Sequence, residues 1–152
     1  MTQLNRRKLF TLAAGAGTLG LAGLVPRAAL ATPEAAREAI AEFTGGTSPQ
    51  TGRISLTAPE IAENGNTVPI SISVESPMSE DDYVESVTVM AEGNPNPEVA
   101  TFHFTPMSGK AEATTRIRLA KTQTVVAVAK MSDGATYSDS KEVKVTIGGC
   151  GG

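Results

Sequence analysis

Between residues 54 and 147 apolar side chains return at every second position in run after run, and that period constrains the fold more than any other feature. Ile54 and Leu56 alternate with Ser55 and Thr57, and Val68, Ile70, Ile72 and Val74 alternate with Pro69, Ser71 and Ser73. Val87, Val89 and Ala91 form a third run, and Ala100, Phe102 and Phe104 a fourth. Ala113, Thr115, Ile117 and Leu119 face away from Glu112, Thr114, Arg116 and Arg118. Residues 125–129 are apolar on both faces, as a central strand would be, and Val143, Val145 and Ile147 end the series against Glu142, Lys144 and Thr146. A strand turns successive side chains to opposite faces, so each run offers one face to a core and the other to water.

The punctuation between the runs fits the same architecture. Asn64-Gly65-Asn66 and Asp133-Gly134 read as tight hairpins, because Asn, Asp and Gly tolerate positive φ. Asn94-Pro95-Asn96-Pro97 reads as a rigid loop that no central strand could hold. Upstream the period is helical. Thr32 is placed to cap a helix, Pro33 and Glu34 suit its first turn, Ala36, Ile40 and Phe43 share a face, and Gly45-Gly46 stop it. The expectation is an immunoglobulin-like β-sandwich of about seven strands preceded by a short N-terminal helix, with a barrel as the alternative. The chain has no tryptophan and a single cysteine, so the likeness to immunoglobulin domains is one of architecture alone.

Residues 1–31 read as a cleaved twin-arginine signal peptide and stand outside the fold. Arg6 and Arg7 precede a mildly apolar stretch from Leu12 to Val25, and Ala29-Leu30-Ala31 supplies the small-x-small pattern of a cleavage site. The stretch is short of the ~20 residues that a membrane span needs and is diluted by Gly15, Gly17, Gly20 and Gly23. The expectation is therefore export to the periplasm with no membrane anchor. Cleavage after Ala31 removes four of the 13 basic residues and none of the 16 acids, leaving a net charge of −7. That balance argues against a nucleic acid or an anionic membrane surface as partner. Residues 32–147 suffice for one domain, which should bury roughly 65% of its unfolded surface. Residues 148–152 are left as a flexible arm.

Within the domain little points to catalysis. His103, between Phe102 and Phe104, falls on the outward parity and would have to serve any Ser-His-Asp or Cys-His site alone. One histidine and one tail cysteine cannot make a metal site. Glu80-Asp81-Asp82 reads as a solvated acidic loop. Arg116, Arg118 and Lys121 line one face near a strand end, either as a solvated face or as a contact for a partner or an anionic sulfur adduct. No glycine-rich loop links a strand to a helix as a phosphate site would require. No catalytic residue, cofactor or metal is expected.

The tail is different. Gly148-Gly149-Cys150-Gly151-Gly152 surrounds the lone cysteine with residues that have no side chain and visit φ of either sign, leaving the thiol mobile and sterically bare. Five residues reach on the order of 17 Å. Such an arm can enter a narrow pocket of another protein while the domain stays outside. A thiolate forms disulfide-type bonds to sulfur that can later be broken. An unpaired cysteine in an exported chain also points to a reactive thiol or to intermolecular pairing. Cys150 is thus the candidate site for covalent attachment of a sulfur substrate.

With these features in place, the chain resembles the SoxY family of bacterial sulfur oxidation over essentially its whole length. The resemblance is carried by the twin-arginine leader, by Pro59-Glu60-Ile61-Ala62-Glu63-Asn64-Gly65 and by Asn94-Pro95-Asn96-Pro97-Glu98-Val99-Ala100. It continues through Thr115-Arg116-Ile117-Arg118-Leu119-Ala120 to the terminal Gly-Gly-Cys-Gly-Gly, its most specific part. It implies a non-catalytic carrier that pairs with a second small β-sandwich subunit, SoxZ, and holds intermediates on Cys150 as S-thiosulfonate and persulfide. It also implies transient visits to SoxXA, a haem c-type cytochrome that loads thiosulfate; to SoxB, a di-manganese hydrolase that releases sulfate; and, where present, to SoxCD. Two other readings stay open at this stage. One is a ubiquitin-like sulfur carrier that uses its Gly-Gly carboxylate, and the other a structural module that dimerises through Cys150.

Overall fold

The computed structural model describes residues 32–148. Helix α1 (Pro33–Thr44) begins as its sequence requires: the Thr32 Oγ1 accepts a hydrogen bond from the Ala35 amide at 3.3 Å and Pro33 opens the first turn. Gly45, at φ 67°, ends it by donating back to carbonyls of the last turn. Nine strands follow: β1 (Gln50–Thr51), β2 (Ile54–Thr57), β3 (Ile61–Ala62), β4 (Val68–Val74), β5 (Val84–Ala91), β6 (Glu98–His103), β7 (Ala111–Ile117), β8 (Gln123–Met131) and β9 (Thr136–Val145). A 3-10 turn (Pro106–Ser108) separates β6 from β7.

The strands form two sheets. One runs β1-β9-β8-β5-β6, with β3 also pairing β9, and the other runs β2-β4-β7. The long pairs are antiparallel, whereas the two-residue strands β1 and β3 join β9 in parallel. Between the sheets lies one core that includes Leu56, Val68, Ile70, Val87, Val89, Leu119, Val125 and Val143, all almost completely buried. The chain is a β-sandwich, as the alternating runs require. Seven of its strands are the seven runs of the sequence, and the other two are the short parallel strands β1 and β3.

Helix α1 packs on β5 and covers the outer side of the larger sheet, which explains why β5 is buried on both faces. Ser86, Thr88 and Met90 of β5 and Val128 of β8 are buried there, outside the main core. The sequence placed the doubly buried strand at β8, and the structure adds β5 to it.

Two other expectations change. Asn64-Gly65-Asn66 is no hairpin: it carries the chain from β3, beside β9, to β4 in the opposite sheet. Its turn comes from the Asn64 carboxamide, which accepts from the Asn66 amide at 2.9 Å, while Gly65 is buried. Asp133-Gly134 does close the β8–β9 hairpin, with Gly134 at φ 86° and the Asp133 carboxylate accepting from the Ala135 amide at 2.8 Å. Strand β9 starts at Thr136, seven residues before the apolar run that revealed it. Glu80-Asp81-Asp82 joins β4 to β5 as a surface loop in which Asp82 receives the Arg53 guanidinium at 3.2 Å. That guanidinium also lies 5.6 Å from the centre of the Tyr137 ring, tying β9 to the β4–β5 loop.

Candidate functional site

Cys150 and its neighbours Gly149, Gly151 and Gly152 lie outside the described residues, as do Arg6 and Arg7. What the structure gives is the platform from which the tail departs. Past the end of β9 the chain is gripped by the β3 segment: the Thr146 amide donates to the Ala62 carbonyl at 3.1 Å, and its hydroxyl to the Glu63 carbonyl at 2.9 Å. The buried Gly65 then acts as a clasp. Its amide donates to the Ile147 carbonyl and its carbonyl accepts from the Leu119 amide, both at 2.8 Å. Ile147 continues the apolar parity of β9, yet the residue is 68% exposed.

Gly148 is seated against the neighbouring turn. A Cβ there would run into the Ala120 carbonyl oxygen and lie 3.3 Å from its carbon. The sequence grouped Gly148 with the flexible arm; in the structure the bare backbone at 148 serves close packing at the root. Gly148→Val should therefore lower stability by about 1–3 kcal/mol, because the clash is with backbone that cannot swing aside. Gly149→Val should stay within ~0.5 kcal/mol. Thermal melts of both variants check the contrast, and equal midpoints would place the root of the arm elsewhere.

The turn that holds Gly148 is itself fixed from below by two buried polar side chains. Asn94 is 1% exposed. Its amide nitrogen donates to the Arg118 carbonyl at 2.8 Å, while its oxygen accepts from the Ala120 amide at 3.0 Å and from Gln123 Nε2 at 2.9 Å. Gln123 Nε2 also reaches the Lys121 carbonyl at 3.0 Å, and its oxygen accepts from the Gly93 amide at 2.6 Å. A Cβ at Gly93 would lie 2.9 Å from Lys121 Cε and 3.0 Å from Gln123 Cβ, so a larger residue there would have to displace both side chains. Buried polar groups hold a structure only when satisfied, and this pair satisfies the Arg118 and Lys121 carbonyls and the Ala120 amide of the loop between β7 and β8.

Three stretches that the sequence singled out separately thus meet at one end of the sandwich: Asn64-Gly65, Asn94 to Pro97 and Arg116 to Lys121, around the root of the tail. Sequence reasoning missed Asn94 and Gln123 as organisers. The signal for Gln123 was its parity, since it falls in register with inward-facing Val125 and Ala127. Beside this platform a groove of about 380 Å³ is lined by Asn94, Asn96, Glu98, Val99, Arg116, Ile117 and Arg118. His103 lies exposed on the edge strand β6, opposite Ser86, far along the strand from Glu98 at the groove. Among the described residues no group of three His, Cys, Asp or Glu side chains converges as a metal site would require. No helix among them is long and apolar enough to cross a membrane.

Fold and platform together define a small β-sandwich that anchors a short glycine-rich tail bearing one thiol. The family model described as "Sulfur oxidation protein SoxY" matches residues 40–150, and the chain belongs to that family. The structure of the sulfur carrier protein SoxY from Chlorobium limicola f. thiosulfatophilum is similar at 34% identity and a TM-score of 0.62, covering 76% of this chain and 100% of that one. A superoxide reductase (neelaredoxin) from Ignicoccus hospitalis shares the fold at 23% identity and a TM-score of 0.55, covering 77% of this chain and 95% of its own. The superoxide reductase from Nanoarchaeum equitans does so at 14% identity and a TM-score of 0.52, covering 62% and 99%. Among curated proteins no match is found.

Proposed function

We propose that the protein is a periplasmic, non-catalytic carrier that holds sulfur intermediates covalently on Cys150 and presents them to the enzymes of thiosulfate oxidation. The observation that carries this reading is the family match, which runs to residue 150 and so takes in the lone cysteine. The anchored root at Ile147 and Gly148 supports it, because a fixed base lets a short tail project from a defined point. Loading joins the Cys150 thiolate to the sulfane sulfur of thiosulfate, giving Cys–S–S–SO₃⁻, and two electrons pass to the haem cytochrome SoxXA. Hydrolysis by SoxB adds water across the S–SO₃ bond, leaving the persulfide Cys–S–S⁻ and releasing sulfate and two protons. SoxZ would pair with the sandwich without a covalent link, since the chain offers no second cysteine.

Intact mass spectrometry of the protein taken from the periplasmic fraction of cells grown on thiosulfate tests both export and chemistry. The expected polypeptide starts at Thr32 and carries reductant-labile sulfur adducts that map to Cys150. Absence of the protein from that fraction would sink the export reading, and a chain still bearing residues 1–31 would sink cleavage after Ala31. A modified C-terminal carboxylate would point instead to a ubiquitin-like carrier, and disulfide dimer alone to a structural module.

A further inference from the structure

The two flanks of the sandwich are finished differently. On one, β2 of the smaller sheet lies against β9 of the larger, and Asp139 of β9 accepts from the Leu56 amide at 2.8 Å. The same β9 is covered by its parallel pairs with β1 and β3. On the other flank β6 ends the larger sheet and β7 the smaller, and the two lie beside each other without pairing. The groove of about 380 Å³ separates Glu98 and Val99 of β6 from Arg116 and Ile117 of β7. The inward side chains of β6 feel this gap. Ala100, Phe102 and Phe104 pack on the core but stay partly exposed, whereas Val87 and Val89 on the adjoining β5 are almost completely buried.

The register with β5 decides which backbone groups of β6 are left over. The Phe104 amide donates to the Glu85 carbonyl at 3.0 Å, and Phe102 and Ala100 follow at the alternate positions that face β5. The N–H and C=O groups of Thr101 and His103 therefore point away from the sheet, where no strand receives them. The next amide on that side, that of Thr105, is already taken by the Ser108 hydroxyl at 3.1 Å. Exposed edges are ordinarily guarded by charge or proline. Strand β7 carries Glu112 and Arg116, but from Val99 to His103 strand β6 has no lysine, carboxylate or proline. Just beyond it Met107 is 96% exposed.

Charge says what kind of strand fits there. Arg116 and Arg118 have no acidic partner within ion-pair distance among the described residues, although the mature chain carries a net charge of −7. Glu98 is engaged on its own strand, where it accepts from the Thr101 hydroxyl at 2.9 Å. A second copy laid antiparallel on β6 would turn its Lys110 end toward these arginines. It would bring them no free acid, because Lys110 already holds Glu112 at 3.8 Å.

Taking the identity of the partner from the carrier reading above, we infer that the free edge of β6 is where the second sandwich subunit joins this one. That subunit adds an extended strand with acidic side chains beside Thr101 and His103. The added strand takes up the four free backbone groups, and its inward side chains close the flank over Phe102 and Phe104. An acid at its end reaches Arg116 and Arg118. The larger sheet then runs from one subunit into the other, and no disulfide is needed to join them.

The test uses the mature chain, kept reduced, and separately purified SoxZ. Amide exchange at Thr101 and His103 should be fast in the free chain and at least tenfold slower in the complex. His103→Pro removes one outward amide and leaves the bonds to β5 in place, a substitution that an edge strand tolerates, and it should weaken binding roughly 30-fold. Arg116→Glu/Arg118→Glu should weaken it roughly tenfold at low salt, with a gap that closes in 1 M salt, where the Debye length is about 3 Å. Ser55→Lys, on the exposed face of the smaller sheet, should bind as wild type does. A complex in which both amides keep exchanging fast would overturn the edge and leave the carrier reading standing. Loss of binding in Ser55→Lys but not in His103→Pro would overturn it too and move the interface to the smaller sheet. Protection of both amides by self-association would assign the edge to a second copy and overturn the acidic partner. A wild type that binds no SoxZ would overturn the partner and its edge together, whatever Cys150 carries.

Discussion

Cys150→Ser is expected to abolish sulfur loading completely while leaving the sandwich and the proposed pairing with SoxZ unchanged. The serine hydroxyl is not ionised near neutral pH and cannot form a disulfide-type bond, so neither tetrathionate nor an enzymatic partner can charge it. Stability should barely respond. Among the described residues the buried apolar core runs from Ala36 to Val143, seven positions before the cysteine. Substitutions away from packed features usually stay within ~0.5 kcal/mol, about 2 °C in the melting midpoint for a domain of this size. Co-purification with the second sandwich subunit measures the other half of the expectation. A variant that melts early or loses its partner would make Cys150 structural and remove the carrier reading. A variant that still accumulates reductant-labile sulfur would move the attachment site elsewhere.

How much of this was legible in the sequence depended on whether an element expresses its burial through period. Strands β2, β4, β7 and β8 were readable because one face of each is apolar at every second residue. The first half of β9 was not, because its inward parity passes through Tyr137, Asp139 and Lys141 before reaching Val143. Asp139 is polar there for a structural reason: its carboxylate accepts from the Leu56 amide at 2.8 Å and satisfies the edge of the opposite sheet. Strands β1 and β3 have two residues each, too few to show any period, and exist because β9 offers them a parallel edge. At the tail the composition of the last five residues announced an arm, but only the fold could show that Gly148 is packed. The two arginines were noticed as a face, whereas their shared groove needed β6 brought alongside β7.

The largest stability effect is expected at Asn94, whose side chain organises the platform. Asn94→Ala removes the acceptor of the Ala120 amide, one of two acceptors of Gln123 Nε2 and the donor to the Arg118 carbonyl. Leaving a buried polar group unsatisfied costs about 1–3 kcal/mol, and water can enter to relieve only part of it at a site that is 1% exposed. A total near 3 kcal/mol is expected, lowering the melting midpoint by roughly 10 °C. Asn96→Ala is the control, since Asn96 shares the motif and the groove but is exposed, and it should cost under ~0.5 kcal/mol. Native-state hydrogen exchange locates the damage. Protection of the Ala120 and Gly93 amides should fall more steeply than that of Val87 or Val125 at the centre of the larger sheet. If the Ala120 amide kept its protection in Asn94→Ala and the midpoint moved by less than about 2 °C, the platform would be held by the backbone alone.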